Sequence, residues 1–262
     1  MLSPFLSQTR IYTPHFPLII YFLKLNKFNI LKIEFLHQMF DFIYPKTSVI
    51  SDEWLGENNS NEFISESEEQ SLRKVTPDDL KNLEEKLTSD HSFSYLAFYE
   101  NEDFSKIVYN LKYRGMKKLG IYLGEIAGRE LLKHIAEKDI RKFDIIIPVP
   151  LHKAKLRERG YNQSECIAKG IGKVISLNVR TDILNRIRNT TSQTKLNKEG
   201  RFKNIKDAFV INEKTINEIR DSRIIIVDDV VTTGSTLNEA IRTIRQSTNA
   251  EILGCTVAMA RD

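Results

Sequence analysis

The chain has 262 residues, 41% of them hydrophobic and 28% charged, with a formal net charge of +4. Those values are ordinary for a globular protein of one large or two small domains, and a charge this mild does not by itself imply a nucleic-acid partner. Its two cysteines, Cys166 and Cys255, have no partner at a metal-ligand spacing. They read as buried free thiols of a reducing, cytoplasmic compartment.

Residues 1–38 differ from the rest of the chain. The apolar run Leu18–Leu23 is broken by Lys24, Lys27, Lys32 and Glu34. It is too short to span a bilayer and lacks the pattern of a signal peptide. Met39 then opens Phe40-Asp41-Phe42-Ile43-Tyr44-Pro45, which reads as a native beginning. Residues 1–38 are therefore expected to be a non-native or disordered leader, with no membrane partner; a surface anchor is the alternative. Residues 39–92 are read as a degenerate N-terminal region plus an acidic linker. Asp52, Glu53, Glu57, Glu62, Glu66, Glu68 and Glu69 predict a solvated, partly disordered stretch over 47–72. Thr76-Pro77-Asp78-Asp79 predicts a helix start, followed by Leu80, Leu83 and Leu87 at helical spacing.

Residues 93–262 read as one α/β domain. Phe93–Tyr99 predicts a strand rich in aromatics. Phe104, Ile107, Val108 and Leu111 mark a short amphipathic helix closed by Lys112-Tyr113-Arg114-Gly115, and Leu119 to about Ile135 a longer one. Asp144–Pro150 predicts a buried strand stopped by two prolines. Just past it, Lys153, Lys155, Arg157 and Arg159 form a cationic cluster suited to a polyanion. His152 is assigned no acid–base role. A helix is expected from Asn162 to about Ile175 and a strand from Val179 to Leu184. The polar, basic stretch after Asn185, with Arg186, Arg188 and Gln193, predicts a mobile loop or hairpin over a site. Ile252–Ala260 is the closing strand.

The most informative stretch is Ile224–Thr236, Ile-Ile-Ile-Val-Asp-Asp-Val-Val-Thr-Thr-Gly-Ser-Thr. An unbroken aliphatic run suits the middle of a parallel sheet, and Asp228 and Asp229 stand where that strand is expected to end. Val230, Val231, Thr232, Thr233, Gly234, Ser235 and Thr236 form a small loop rich in hydroxyls. Leu237, Ala240, Ile241 and Ile244 then recur at helical spacing, with Thr236 and Glu239 as a capping box. Strand, acidic pair, small loop and helix make an anion site at the carboxyl end of a sheet. The carboxylates would repel a bare phosphate, so they are expected to hold sugar hydroxyls or to face a Mg²⁺ that bridges to phosphate. Neither a P-loop nor a dinucleotide fingerprint is present.

This stretch resembles the PRPP-binding loop of type I phosphoribosyltransferases. Together with Pro148-Val149-Pro150-Leu151, Arg159-Gly160-Tyr161-Asn162-Gln163, Arg186, Gln193 and Arg201, it is similar to the ComF family of competence-associated, phosphoribosyltransferase-like proteins. The likeness covers roughly Phe93 to the end. It implies a type I phosphoribosyltransferase fold, a central parallel sheet flanked by helices with a small hood and flexible loop. It implies that Asp228 and Asp229 contact ribose, that Val230–Thr236 wrap the 5′-phosphate, and that Leu151, His152, Lys155 and Arg159 take pyrophosphate. Arg186, Arg188 and Gln193 would belong to the lid. Members usually carry a four-cysteine zinc ribbon, but Lys46, Thr47 and Ser48 stand where the first cysteine belongs. The expected cofactor is thus Mg²⁺ brought with PRPP, and no zinc.

Two functions fit these residues. One is transfer of phosphoribosyl from PRPP or a related phosphosugar to an acceptor the sequence does not name. The other is a non-catalytic accessory of DNA uptake that binds single-stranded DNA or a helicase-like protein, for which Tyr161 and Phe202 are the stacking candidates. Homodimerisation is left open.

Overall fold

The computed structural model describes residues 45–56, 59–98, 103–189 and 205–261. The expectations for residues 1–44, including the leader and Met39, and those for Gln193, Arg201 and Phe202, lie outside the described residues.

Described helices and strands are numbered in chain order. Helices α1 (Glu66–Ser71) and α2 (Pro77–Lys86) lead to β1 (His91–Phe98). Helices α3 (Phe104–Tyr113) and α4 (Lys117–Glu137) lead to β2 (Ile145–Pro148). Helices α5 (Lys153–Arg159) and α6 (Gln163–Ile175) lead to β3 (Asn178–Val179). Strands β4 (Leu184–Arg186) and β5 (Phe209–Ile211) form a separate antiparallel pair, followed by a short helix α7 (Ile216–Ile219). The chain closes with β6 (Arg223–Val231), α8 (Ser235–Arg245) and β7 (Glu251–Ala260).

The main sheet is parallel, in the order β1-β7-β6-β2-β3. Strand β6 is central because its side chains are apolar on both faces. Ile225 and Val227 pack with Leu119, Leu123, Ile167 and Ile171 of α4 and α6. Ile224 and Ile226 pack with Leu237, Ile241 and Ile244 of α8 and with Leu83 of α2. Each of these isoleucines and Val227 is fully buried, and such a strand has no solvent face to keep polar. Helices α4 and α6 touch backbone to backbone: a Cβ on Gly124 would stand 2.1 Å from the Ile167 carbonyl oxygen, and one on Gly170 2.1 Å from that of Ile121.

The crossover after β2 runs to β3, away from β6, and the one after β6 runs to β7, away from β2. A crevice therefore opens between the carboxyl ends of β2 and β6, the usual ligand position in an open α/β sheet.

Four local expectations change. The acidic stretch 47–72 is not a solvated linker in its described part: Ile50, Phe63, Ile64 and Leu72 join the core beside β1, α3 and α4. One carboxylate gathers its turns. Glu68 accepts from the Ser48 hydroxyl at 2.8 Å and from the Ser65 N–H at 2.7 Å, while Ser48 Oγ accepts from Ile50 N–H at 3.0 Å. Burial opposes its ionisation, but the Ser65 and Ser48 hydrogen bonds hold the Glu68 pKa below the ordinary value. Secondly, the strand expected over Val179–Leu184 is two strands in two sheets, because β4 leaves the main sheet to pair with β5. Thirdly, β6 runs through the acidic pair to Val231 instead of ending before it. Finally, Thr236 and Glu239 form no capping box; Gly234 is the N-cap of α8.

Candidate functional site

The site begins with unequal strand lengths. Pairing of β2 with β6 stops at Pro148 and Val227, whereas β6 stays paired with β7 to Val231. Past Val227, one edge of β6 has lost its neighbour, and Asp228 and Asp229 sit on that stretch. Asp228 is partly buried and Asp229 buried.

The run Arg159-Gly160-Tyr161-Asn162-Gln163-Ser164 builds the opposite wall. Gly160 takes the left-handed conformation that ends α5, with φ of 75°. The buried Tyr161 hydroxyl donates to the Leu111 carbonyl and pins the last turn of α3. Asn162 accepts from Ser164 N–H at 3.2 Å, capping α6, and donates to the Val149 carbonyl at 3.0 Å. Gln163 Nε2 lies 3.4 Å from Asp229 Oδ2, and the Ser164 hydroxyl donates to Asp228 Oδ1 at 2.9 Å. The first turn of α6 is thereby welded to the acidic pair.

The two carboxylates are not equivalent. Asp229 Oδ2 pairs with Lys112 Nζ at 3.0 Å, and its Oδ1 accepts from Val230 N–H at 2.9 Å. Burial works against its charge, but Lys112 outweighs that and lowers its pKa. For Asp228, burial and then the Asp229 charge act together and push the pKa well above the carboxylate range. The pair is one anion beside one carboxyl that readily holds its proton. Lys112 keeps its charge: burial opposes it, and Asp229 reverses the effect.

Three more cations converge on this place. Lys155 and Arg159 stand one turn apart on the inner side of α5, while Lys153 and Arg157 face solvent. Burial lowers the Lys155 pKa, and the nearby Arg186, Arg159 and Lys112 lower it further. The Arg186 guanidinium lies over the Phe209 ring, 5.3 Å from its centroid, and Arg159 lies over Tyr113 at 5.4 Å. The structure thus brings Lys155, Arg159 and Arg186 to the acidic pair. Leu151 and His152 lie at the start of α5, where His152 Nδ1 accepts from Ala154 N–H at 3.2 Å as the N-cap. Arg188 does not share this enclosure; it is exposed and donates to the Lys206 carbonyl.

The expected loop forms the remaining wall. Asp228, Val230–Leu237 and Thr256 line one open cleft. Gly234 has φ of 76°, and a Cβ there would meet the Lys86 carbonyl oxygen at 2.9 Å, so only glycine fits. Among the described residues no side chain caps α8, so the first N–H groups of this helix are directed at the loop. The Thr233 and Ser235 hydroxyls are 2.8 Å apart. Glu239 serves elsewhere: it accepts from Asp207 N–H at 2.6 Å and from Arg242, tying α8 to the β4–β5 hood.

Sequence reasoning missed Lys112, Gln163 and Ser164 as site residues. Only the Arg159–Gln163 motif carried a signal for any of them. Lys112 at the end of an amphipathic helix looks like any solvated lysine.

Residues 162–262 match the phosphoribosyl transferase domain. Competence protein F of Haemophilus influenzae is 36% identical over 103 residues, covering 39% of this chain and 44% of that protein. The DNA utilization protein YhgH of Salmonella typhimurium is 29% identical over 135 residues, covering 52% and 58%. The chain is thus similar to competence-associated proteins of the ComF kind in the stretch that carries the phosphoribosyl transferase match. It spans about half the length of the curated relatives it matches. Among solved structures, an adenine phosphoribosyltransferase covers 70% of this chain and 89% of its own at 20% identity, with a TM-score of 0.35. A purine phosphoribosyltransferase from Pyrococcus horikoshii covers 53% and 83% at 16% identity, with a TM-score of 0.32. The central parallel sheet with helices on both faces, plus the β4–β5 hood, is the type I phosphoribosyltransferase fold expected from the sequence. Among the described residues no helix is long and apolar enough to cross a membrane.

Proposed function

We propose that this chain binds PRPP, or a related phosphosugar carrying a diphosphate, and transfers its phosphoribosyl group to an acceptor. The observation that carries the reading is one crevice holding three kinds of contact. An acidic pair sits on the open edge of β6, its Asp228 also lines the cleft of a hydroxyl-rich loop and an uncapped helix start, and four cations gather around the pair. A ligand with a 5′-phosphate, a diol and a diphosphate has one group for each.

Transfer breaks the bond between ribose C1 and the diphosphate, and the ribose carbon becomes electron-poor as the bond lengthens. The loop Val230–Thr236 binds the 5′-phosphate through backbone N–H groups. Asp229, as the anion, accepts from a ribose hydroxyl. Lys155, Arg159 and Arg186 lie where charge grows on the leaving diphosphate, and preorganised cations lower the barrier most at that point. Among the described residues no cluster of three or more His, Cys, Asp or Glu forms a metal cage. The donor set suits Mg²⁺ held by ligand phosphates and one or two carboxylates, Asp228 and Asp229. Bound that way, it would supply charge neutralisation to the diphosphate.

Calorimetric titration of PRPP with Mg²⁺ into wild type and D228N/D229N tests this. Binding to wild type that the double variant loses supports the site; a folded wild type that binds nothing rejects it.

A second reading draws on the relatives' names, competence protein and DNA utilization protein, and on one surface feature. Tyr109 and Tyr113 are half-exposed on α3 with ring centroids 5.2 Å apart, and Arg159 covers Tyr113. Exposed aromatics beside cations suit the bases and phosphates of single-stranded DNA. Tyr161, the candidate from sequence, is buried. Salt-steep single-strand binding that Y109A/Y113A weakens and D228N/D229N does not would favour this role.

A further inference from the structure

Asp229 is crowded on one side. Its Oδ2 faces both Lys112 Nζ at 3.0 Å and Gln163 Nε2 at 3.4 Å, and its Oδ1 is held by the Val230 N–H. A ligand hydroxyl that is to reach Oδ2 must displace one of the two donors. Gln163 cannot leave easily, since it is buried in the first turn of α6, between Asn162 and Ser164, which are both hydrogen-bonded to the strand ends. The Lys112 side chain is a quarter exposed, on a long flexible stem. Its backbone is fixed by the Tyr161 bond to the preceding carbonyl, so its ammonium alone is free to swing.

Two further facts concern what it swings towards. Lys112 lies within electrostatic reach of Lys155 and Arg159, so the cationic end of the crevice is close by. Gln163 Oε1 is buried and has no hydrogen-bond partner among the described residues, as has Thr256 Oγ1 beside Asp228 on the adjoining strand. A buried acceptor left open next to the acidic pair is a place prepared for a donor from outside the protein.

Resting on the phosphosugar reading, we propose that Lys112 is a ligand-contacting residue that changes counter-ion on binding. In this arrangement its ammonium neutralises Asp229. When a phosphosugar arrives, a ribose hydroxyl takes Asp229 Oδ2, and Lys112 moves onto the diphosphate beside Lys155 and Arg159. Gln163 stays, and its Oε1 accepts from the incoming sugar. Lys112 comes from α3, outside the matched residues 162–262, so this contact belongs to the N-terminal half of the chain.

Two probes separate the two ends of the crevice: inorganic pyrophosphate with Mg²⁺, and ribose 5-phosphate, each titrated into wild type, K112M and K112R. The expected result is a roughly 10- to 100-fold loss of pyrophosphate affinity in K112M, the value of one charge-assisted hydrogen bond. Ribose 5-phosphate affinity should hold or rise, because Asp229 is released from its competitor. K112R, which keeps the charge, should recover much of the pyrophosphate affinity. Equal losses for both probes would assign Lys112 to merely shaping Asp229, and unchanged pyrophosphate binding would remove it from the site; either result overturns the proposal. A wild type that binds neither pyrophosphate nor PRPP would instead reject the phosphosugar reading on which it rests.

Discussion

Asp79 and Asp229 are both buried carboxylates, each paired with one cation, and their surroundings could hardly differ more. Asp79 accepts from Thr76 N–H at 2.8 Å, from the Thr76 hydroxyl at 2.7 Å and from both ends of the Arg261 fork. Burial opposes its charge, but Arg261 and Thr76 prevail and hold its pKa at about 2. Both carboxylate oxygens are held, by the planar Arg261 fork and by the Thr76 cap together. Asp229 has a second carboxyl one residue away, a single-point lysine and a long contact to Gln163. The first arrangement fastens α2 to the end of β7. The second keeps like charges together and leaves the buried Gln163 Oε1 open beside them, the kind of unrelieved electrostatics that clusters at functional sites.

The largest expected contrast is in binding. D228N/D229N should lose PRPP affinity by more than roughly 100-fold, the loss of two or more hydrogen bonds to charged groups, while its unfolding midpoint changes little, because relief of the crowded like charges offsets the lost partner of Lys112. D79N should do the reverse. Breaking a buried pair typically costs on the order of 3 kcal/mol of stability, and PRPP affinity should not change. If D79N weakened binding as much as stability, the division between fastening and site would be wrong.

Acid titration sharpens the same contrast, since the two pKa values move in opposite directions. Asp79 is depressed, so its contribution is complete above the ordinary carboxylate pKa of about 4 and is lost as pH falls towards about 2. The urea midpoints of wild type and D79N should converge over that window. Asp228 is raised, so the folded state binds the proton more tightly and stability is lost as pH rises from about 4 towards its elevated pKa. D228N should therefore gain on wild type as pH increases. Parallel curves for the two variants would contradict the assignment.

The smallest effect is at the Glu68 clasp. S48A removes one hydroxyl donor to that carboxylate and one acceptor for Ile50 N–H. About 1 kcal/mol of stability should go, with ligand affinity unchanged. A loss of binding would mean that the N-terminal turns reach the crevice.

Much of the fold was legible because local signals agreed with it. The all-aliphatic Ile224–Val227, the Pro148 stop and the helically spaced apolar positions of α4 and α6 each dictate one element. The loop to Thr236 and the cations Lys155 and Arg159 were legible for the same reason: the chemistry lies in short contiguous runs. What escaped was set by distant partners. Lys112 meets Asp229 at the end of a turn that Tyr161 anchors from 50 residues away. Glu239 abandons a cap because Asp207 and Arg242 offer better partners. The acidic stretch 47–72 packs because Ile50, the Phe63-Ile64 pair and Leu72, spread through it, join one core with α3 and α4. Composition averages over those few residues and sees only the carboxylates.

The strand order limits how this protein can be taken apart. Residues 162–262 contain β3, β6 and β7, but β2 lies between β3 and β6, and β1 covers the outer edge of β7. A fragment cut at residue 162 would bare both edges of the β6–β7 ribbon, with Ile224, Ile225 and Ile226 along one of them. Such edges recruit strands from other molecules. The stretch that bears the family likeness is therefore not a portable module, and chimeras or minimal versions have to carry the chain from β1 onward to stay monodisperse.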